Sequence, residues 1–215
     1  MFPPSDLPIV YGAAYSVYVC AVRLALEEKG VAYELVEVDV FAPGGVPSDH
    51  LRRHPFGRIP SFRHGAFELY ESGAIERYID EAFAGPTLQP AAPQARARLN
   101  QITGLLDNYA YRTLVWDIYV ERVSAPKEGR VSDEARLQAA LPRAARCLGA
   151  IEDLMESDHW LVGTALSLAD LHAVPMIGYF VQASEGRDLL AQHPRLTTWW
   201  EGMQGHSSVE RLKLG

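Results

Sequence analysis

Ser16 and the pair Glu71 and Ser72 are the residues of this sequence whose positions favour binding an anion. Each follows a short apolar run and precedes a segment with helical periodicity, so each is predicted to stand at the N-terminus of a helix. Unpaired N–H groups and the positive end of the helix dipole collect there, and they favour a carboxylate or a thiolate. A hydroxyl at such a place can donate to an anion, or it can serve only as the cap of its helix.

A turn-rich stretch between these two places predicts a β-hairpin. Ile59 and Pro60 come where its first strand should begin, which suits proline because proline has no N–H for the ladder. Residues 63–66 contain a glycine and predict a turn, which lets residues 61–62 pair with residues 67–69.

The elements around this hairpin predict a small α/β domain. Residues 7–11 form a candidate buried strand, and the helical pattern after Ser16 runs to Lys29 and is closed by Gly30. Residues 33–39 alternate as a second strand, which implies a right-handed parallel crossover. A short helix at 48–53 and a helix at 72–83 complete a βαβαββα order, which is that of a thioredoxin-like domain.

The second half of the chain predicts only helices. They are expected at 93–123, 132–155, 167–184 and from Pro194 onward, with an interruption at 124–126 and with Pro142 kinking or dividing the second. Ser167 and Asp170 predict a capping box for the third. The fold class is therefore α+β with two domains: residues 1–84, a linker at 85–92 and an all-helical domain at 93–215.

Composition limits the partners of the protein. The net charge is −7 and no basic run occurs, so neither nucleic acid nor an anionic membrane is an expected partner. The two cysteines are far apart and the seven histidines show no metal-ligand spacing, which suits a reducing compartment and predicts no metal. Residues 1–6 are a poor signal peptide, and the uncharged run 7–22 is shorter than the ~20 residues of a membrane helix, so a cytoplasmic location is expected.

Three segments of the sequence resemble a known family. They are H-P-F-G-R-I-P at 54–60, E-S-G-A-I at 71–75, and Y-G-x-x-x-S at 11–16 followed by L-E-E-x-G at 26–30. These resemble the cytosolic glutathione transferases, most closely the serine-type phi class of plants and its bacterial relatives. The likeness extends over nearly the whole chain, which is identified as a bacterial, phi-like member.

The resemblance implies a reaction and a site. Ser16 would be the catalytic residue, donating a hydrogen bond to the glutathione thiolate, which attacks a hydrophobic electrophile. Glu71 would bind the γ-glutamyl ammonium and Ser72 its carboxylate, while the backbone of Ile59, before a cis proline, would pair with the cysteinyl part. Glutathione is then a substrate, and no metal or redox cofactor is implied. The glutathione-binding residues are thus predicted to be Arg58, Ile59, Pro60, Glu71 and Ser72.

The electrophile pocket is predicted from aromatic residues. Helical spacing places Tyr109, Trp116 and Tyr119 on one stripe and Tyr111 with Val115 on another, and such stripes form core more often than pockets. In the family the pocket lies against this helix and near the catalytic serine. The predicted pocket residues are Tyr15, Tyr18, Tyr111, Val115, Trp116 and Tyr119.

Several alternatives remain open from the sequence. Tyr15 can replace Ser16 as the thiolate donor, whereas Cys20 is not at the serine position and is expected in the core. The family's His-Lys pair for the glycyl carboxylate corresponds to positions close to Gly45 and Val46, which cannot bind it, so either His50 or Arg58 substitutes or glutathione binds more weakly. A glutathione-dependent peroxidase or disulfide reductase, or a non-catalytic carrier of apolar ligands, fits the same fold.

A homodimer is the expected assembly. Four aromatic residues, Phe56, Phe62, Phe67 and Tyr70, lie in or beside the hairpin, more than one small sheet easily buries. The resemblance implies a dimer in which Phe56 inserts into the helical domain of the partner, although Phe56 can instead pack within its own domain.

Overall fold

The structure is a computed structural model that describes residues 7–212. Within them the chain forms two compact units, one ending at Leu88 and the other beginning at Gln89. Residues 1–6, on which the expectation about a signal peptide rested, lie outside the described residues.

The N-terminal unit has the predicted βαβαββα order. Its elements are β1 (Ile9–Tyr11), α1 (Val17–Glu28), β2 (Glu34–Val36), α2 (Ser48–Arg53), β3 (Ser61–His64), β4 (Phe67–Tyr70) and α3 (Ser72–Ala82). The four strands form one sheet in the order β2-β1-β3-β4, parallel between β1 and β2 and antiparallel at the other two ladders. The predicted thioredoxin-like arrangement is therefore confirmed.

Strand β2 is shorter than the predicted strand at 33–39. The reason is the length of β1, which offers only Ile9–Tyr11 as partners for Glu34–Val36. After Tyr11 the chain leaves the sheet at Gly12, whose N–H closes the ladder on the C=O of Val36 at 3.0 Å. A strand cannot continue beyond its hydrogen-bonding partner, however favourable its own residues are.

The hairpin is tighter than predicted. Strand β3 continues to His64 and β4 begins at Phe67, so the turn consists of Gly65 and Ala66 instead of residues 63–66. Gly65 has φ of 60°, the conformation that two-residue hairpin turns require at their first position. The pairing therefore extends over the whole of both strands.

The second unit is helical throughout its regular elements. Its segments Leu106–Ala110 and Arg112–Ser124 have wider, π-type turns, and together they are called here the wide helix. In them an N–H reaches the fifth residue back, as Tyr111 does to Leu106 and Ala125 to Val120. The helices are α4 (Pro93–Leu105), α5 (Ala125–Lys127), α6 (Glu134–Leu154), α7 (Leu168–Phe180), α8 (Ser184–Leu190), α9 (Pro194–Gln204) and α10 (Ser207–Leu212).

The helix boundaries correct the sequence prediction in several places. Helical structure continues through 124–126, where α5 directly follows the wide helix and contains Pro126 in its first turn. Helix α6 is not divided at Pro142. Helix α7 ends at Phe180, four residues early, and α8 and α10 were not predicted. Short helices of this kind carry too few turns for a periodic signal.

The capping box of α7 is confirmed and is part of a larger buried network. The Asp170 carboxylate is fully buried and accepts from the N–H of Ser167 at 2.8 Å and its hydroxyl at 2.7 Å. It also accepts from the N–H of Leu161 at 2.8 Å and the indole N–H of Trp199 at 2.9 Å. Burial raises the pKa of Asp170. One carboxylate thus joins the start of α7 to α9, where Trp199 and Trp200 are buried as predicted.

A buried lysine fastens the end of the N-terminal unit. The Lys29 ammonium contacts the Asp80 carboxylate at 3.1 Å, the C=O of Asp80 at 3.0 Å and the C=O of Pro86 at 2.8 Å. Asp80 also accepts from the N–H of Leu88 at 2.8 Å. Both charged side chains are nearly inaccessible, with 3% and 4% exposed. This ion pair holds the chain after α3 against the end of α1.

We expect Lys29→Met to lower the free energy of unfolding of the N-terminal unit by about 3 kcal/mol, because it leaves the Asp80 carboxylate buried without its partner charge. The double variant Lys29→Met/Asp80→Leu should recover part of that loss, since it removes the stranded charge. Urea denaturation followed by circular dichroism measures both. A Lys29→Met variant as stable as the wild type would contradict the role of the pair.

Candidate functional site

The register of the sheet brings the three predicted site segments to one edge. Tyr11 pairs with Ser61, and Ser61 pairs with Tyr70 on its other side. Strand β1 ends at Tyr11, β3 begins at Ser61 and β4 ends at Tyr70. Directly opposed residues of antiparallel strands have Cα atoms about 4.5–5.5 Å apart. The segments that leave these residues therefore start side by side: the loop to Ser16, the Ile59-Pro60 dipeptide and the start of α3.

Ser16 caps α1 and still has a donor to give. It is half-buried, and its side-chain oxygen accepts from the N–H of Val19 at 3.5 Å. Among the described residues, its hydroxyl proton has no acceptor. Capping uses the oxygen as an acceptor, whereas binding an anion uses the O–H as a donor, so the two readings of Ser16 are compatible.

Gly12 sets how closely the loop before Ser16 approaches the dipeptide. A Cβ at this position would stand 2.5 Å from Val19 and 3.1 Å from Ile59. Both distances are shorter than van der Waals contact, so only glycine lets β1 end against the first turn of α1 and against Ile59 at once.

Ile59 presents an unused backbone edge. The Ile59–Pro60 bond is cis, as predicted, and Pro60 is buried while Ile59 is half-buried. Within the described part of the chain neither the N–H nor the C=O of Ile59 has a hydrogen-bond partner. Because this backbone donor and acceptor are adjacent and not hydrogen-bonded, they can pair with an extended peptide, as an exposed edge strand of a sheet does.

The start of α3 adds charge and polar groups. Glu71 is exposed and has φ of 72°, an uncommon conformation for a residue other than glycine. Its C=O accepts from the N–H groups of Ala74 and Ile75. Ser72, the first helical residue, is buried, with 8% of its surface exposed. One carboxylate, one hydroxyl and the first N–H groups of a helix therefore stand together, a set that suits a zwitterionic amino-acid group.

Arg58 and His50 have different positions from those considered in the sequence. The Arg58 side chain is exposed, whereas its C=O bonds Nε2 of His50 at 2.7 Å. His50 has 1% of its surface exposed. The suggestion that His50 holds the glycyl carboxylate is therefore wrong, because its ring is buried against the backbone. Arg58 remains a candidate for that role, and Gly45 and Val46 lie in the loop before α2.

The neighbours of Ser16 differ in exposure. Tyr15 has 52% of its surface exposed and Tyr18 is half-buried. Cys20 is fully buried, its thiol donates to the C=O of Ala14 at 3.2 Å, and burial raises its pKa to about 11. Cys20 is a core residue, as predicted, and its thiol is protonated at neutral pH.

The packing of His54, the residue that follows α2, was not predicted from the sequence, and His50 was considered only as a ligand of the glycyl carboxylate. His54, with 3% exposed, packs its ring on Tyr70 with centroids 4.8 Å apart, and burial lowers its pKa. His50 is its neighbour at a ring distance of 6.3 Å. Their spacing of four residues, which is that of neighbours on one face of a helix, was the feature of the sequence that could have predicted this packing.

The predicted pocket residues of the helical unit lie on the wide helix. Val115 is buried, and Tyr111, Trp116 and Tyr119 are half-buried. Tyr119 packs on Tyr179 of α7 with centroids 4.6 Å apart, and burial raises its pKa.

The predicted stripe of Tyr109, Trp116 and Tyr119 is not kept. Tyr109, which is 66% exposed, shares a groove of about 750 Å³ with Thr113 and Asp117. The wider turns of this segment change which residues share a face, because the period exceeds that of an α-helix. The groove is also lined by Arg112, Arg143, Arg146 and Cys147, and none of the four predicted pocket residues of this unit lines it.

Two features are absent from the described residues. Among the helices that the structure describes, none combines the length and the apolar character needed to cross a membrane. In residues 7–212 no three histidine, cysteine or acidic side chains are grouped so that they could hold a metal ion.

Comparison with known proteins places the chain in a family. The family model "Glutathione S-transferase, N-terminal domain" matches residues 8–81, and "Glutathione S-transferase, C-terminal domain" matches residues 108–206. The chain is 29% identical to "Probable glutathione S-transferase GSTF1" of Oryza sativa subsp. japonica over 94% of each chain. It is 25% identical to "Glutathione S-transferase F12" of Arabidopsis thaliana over 95% of this chain and 96% of the relative.

Solved structures agree with the sequence comparison. The fold superposes on glutathione S-transferase III in apo form with a TM-score of 0.84 and 27% identity, covering 96% of this chain and 95% of the other. These matches define a two-domain glutathione transferase fold. The chain belongs to the glutathione S-transferase family, with relatives in the plant phi class, and its predicted enzyme class is confirmed.

Proposed function

We propose that the protein conjugates glutathione to hydrophobic electrophiles, with Ser16 as the thiolate donor. The observation that carries the proposal is the shared sheet edge, where the open backbone of Ile59, the free hydroxyl proton of Ser16 and the start of α3 come together. The named relatives are glutathione S-transferases, and they supply the substrate that this set of groups would bind.

Glutathione would lie along this edge as an extended peptide. Its γ-glutamyl ammonium would meet Glu71, and the neighbouring carboxylate would meet Ser72 and the first N–H groups of α3. The cysteinyl part would pair with the N–H and C=O of Ile59, beside the buried ring of Pro60. The exposed guanidinium of Arg58 would offer charge to the tripeptide. These contacts would leave the sulfur near Ser16, at the N-terminus of α1.

Ser16 would lower the pKa of the bound thiol. Its O–H would donate to the sulfur, and this hydrogen bond and the helix dipole both favour the anion. The sulfur lone pair then forms a bond to an electrophilic carbon. Either a leaving group departs from that carbon with its electron pair, or the pair of a broken π or C–O bond moves to the neighbouring carbon or oxygen, which takes up a proton. Tyr15 and Tyr18 would contact the electrophile beside Ser16, and Tyr111, Val115, Trp116 and Tyr119 stay predicted pocket residues.

No observation favours the peroxidase or disulfide-reductase alternative. A disulfide reductase of this fold needs a reactive cysteine at the site, and Cys20 is buried with a raised pKa. A cytoplasmic location and a bacterial source stay predictions.

We expect Ser16→Ala to raise the pKa of bound glutathione and to lower turnover about ten- to a hundredfold, because a hydrogen bond to a charged group contributes ~1.5–3 kcal/mol. Affinity for glutathione should change little. Thiolate absorbance of the bound tripeptide against pH, and steady-state kinetics with 1-chloro-2,4-dinitrobenzene, measure the two effects.

Two variants control this experiment. Ser16→Thr keeps the hydroxyl and the cap, so it should keep most of the activity. Tyr15→Phe removes the alternative donor and should leave the thiolate titration in place. If Tyr15→Phe shifts the titration and Ser16→Ala does not, the donor is Tyr15.

We expect Glu71→Ala and Ser72→Ala to weaken glutathione binding much more than they slow turnover at saturating glutathione. They would contact the end of the tripeptide remote from the sulfur, so they contribute binding that is uniform between ground and transition states. Isothermal titration calorimetry gives the dissociation constants. Glu81→Ala, on the exposed far end of the same helix, is the matched control and should change neither quantity. An unchanged dissociation constant in either test variant would remove that residue from the site.

We propose further that the protein is a homodimer. Phe56 is 72% exposed and Phe67 is 48% exposed, an apolar surface that supports an interface on the N-terminal unit. The groove of the helical unit, at about 750 Å³, is large enough to receive a phenyl ring from a second copy. A twofold dimer is the commonest closed assembly.

We expect sedimentation at micromolar concentration to give about twice the chain mass of 23.8 kDa. Phe56→Ser should shift the protein toward monomer, because it removes the exposed ring from the interface. Val131→Ser, which removes an apolar side chain that is 93% exposed in the helical unit, is the control and should leave the mass unchanged. A monomeric wild type would refute the dimer, whereas a dimeric Phe56→Ser would refute only the role of Phe56.

A further inference from the structure

His50 makes a single, directed hydrogen bond to the backbone of the site loop. Its Nε2 lies 2.7 Å from the C=O of Arg58, and its side chain is almost completely buried. A carbonyl oxygen can only accept, so Nε2 must carry the proton of this bond. Nδ1 is also buried, and it has no partner within the described residues. The ring is therefore held in the structure by its Nε2–H bond and by packing.

This bond fixes the orientation of one peptide plane. The Arg58–Ile59 bond is trans, and in a trans peptide the C=O and the following N–H point in opposite directions. Because the C=O of Arg58 points to the buried ring of His50, the N–H of Ile59 points away from it. That N–H is the donor which has no partner among the described residues.

The segment before Arg58 is held by α2 as well. The N–H of His54 bonds the C=O of His50 at 2.8 Å, and the N–H of Gly57 bonds the C=O of His54 at 2.9 Å. Gly57 has φ of 61°, which favours glycine, and a Cβ there would lie 3.3 Å from the side chains of Leu51 and Val46, close enough that they would have to shift by a few tenths of an ångström. The backbone is thus held as far as the N–H of Gly57, and His50 holds the Arg58–Ile59 peptide one residue further on.

We propose that His50 is a positioning residue for glutathione: it sets the Arg58–Ile59 peptide so that the N–H of Ile59 faces the cysteinyl part of the tripeptide. The proposal rests on the proposed function, which gives that N–H its partner. His50 itself touches no substrate. Its loss therefore weakens binding without changing the thiolate.

A matched pair of variants tests whether the proton donor matters. The side-chain amide nitrogen of Gln stands near the position of Nε2, whereas that of Asn stands near Nδ1 and cannot reach the Arg58 carbonyl. His50→Asn should raise the dissociation constant of glutathione about three- to tenfold, the effect of one neutral hydrogen bond, and His50→Gln should stay within about twofold of the wild type. The turnover number at saturating glutathione and the pKa of the bound thiol should stay unchanged in both.

Two further variants separate this role from general destabilisation. His64→Leu removes the bond of 2.9 Å between Nδ1 of His64 and the Tyr78 hydroxyl in the same unit, and it should leave the affinity for glutathione unchanged. If thermal melting shows His50→Asn to be unfolded, His50→Leu, which keeps apolar volume and has no donor, takes its place. Calorimetry with glutathione and kinetics with 1-chloro-2,4-dinitrobenzene are the measurements for all of them.

The possible results differ clearly. Equal affinities in the wild type, the Gln variant and the Asn variant would overturn the role of His50 and leave the proposed function standing. Equal weakening in Gln and Asn would overturn it too, because ring packing and not the donor would be responsible. A fall in the turnover number without a loss of affinity would also overturn the role of His50. A wild type that binds no glutathione would overturn the proposed function, and the role of His50 with it.

Discussion

The pairing of Ser61 with Tyr11 on one side and Tyr70 on the other is the constraint on which the candidate site depends. Side chains of a strand alternate between faces, so a slip of one residue in either ladder would turn Phe62, which is 1% exposed, out of the core. The hydrophobic requirement at Phe62 therefore also sets the register of Ser61. Through that register, three segments distant in sequence leave the sheet beside one another.

This edge has polar groups that no other group of the described residues pairs: the N–H and C=O of Ile59 and the hydroxyl proton of Ser16. A buried backbone group without a partner costs free energy comparable to a lost hydrogen bond, so proteins keep such groups open mainly where solvent or a ligand reaches them. Ile59 is only half-buried and Glu71 is exposed, so water can satisfy them in the free protein. A peptide ligand would replace that water with directed bonds. Pro60 and Ser72 are buried beneath them and give the edge a fixed base.

The helical unit depends on buried carboxylates with several donors each. Asp170 accepts four hydrogen bonds, and Asp117 on the wide helix contacts Arg112 and Arg136 through Oδ1 and Arg143 through Oδ2. A buried charge is tolerated only when it is paired and hydrogen-bonded. Each of these carboxylates therefore specifies which elements lie next to it: Asp170 joins α7 to α9, and Asp117 joins the wide helix to α6.

The sequence by itself determined the features that short segments encode. The cap at Ser16, the turn at Gly65, the end of α1 at Gly30 and the box of Ser167 with Asp170 each follow from the residues within one turn. The residue types of the site could be predicted for the same reason, because their motifs are local. The family could be recognised from these same motifs.

Only the tertiary structure decided the rest, because it depends on partners far away in the chain. Strand β2 stops at Val36 since β1 has no further residues to pair with it. The sequence shows His50 only as a polar residue of a short helix, whereas in the fold its Nε2 donates to the C=O of Arg58. The wide helix separates Tyr109, which lines the groove, from Tyr119, which packs on Tyr179, because its turns are wider than those of the α-helix that the sequence predicted. Register, burial and helical period are properties of contacts, and no single segment contains both sides of a contact.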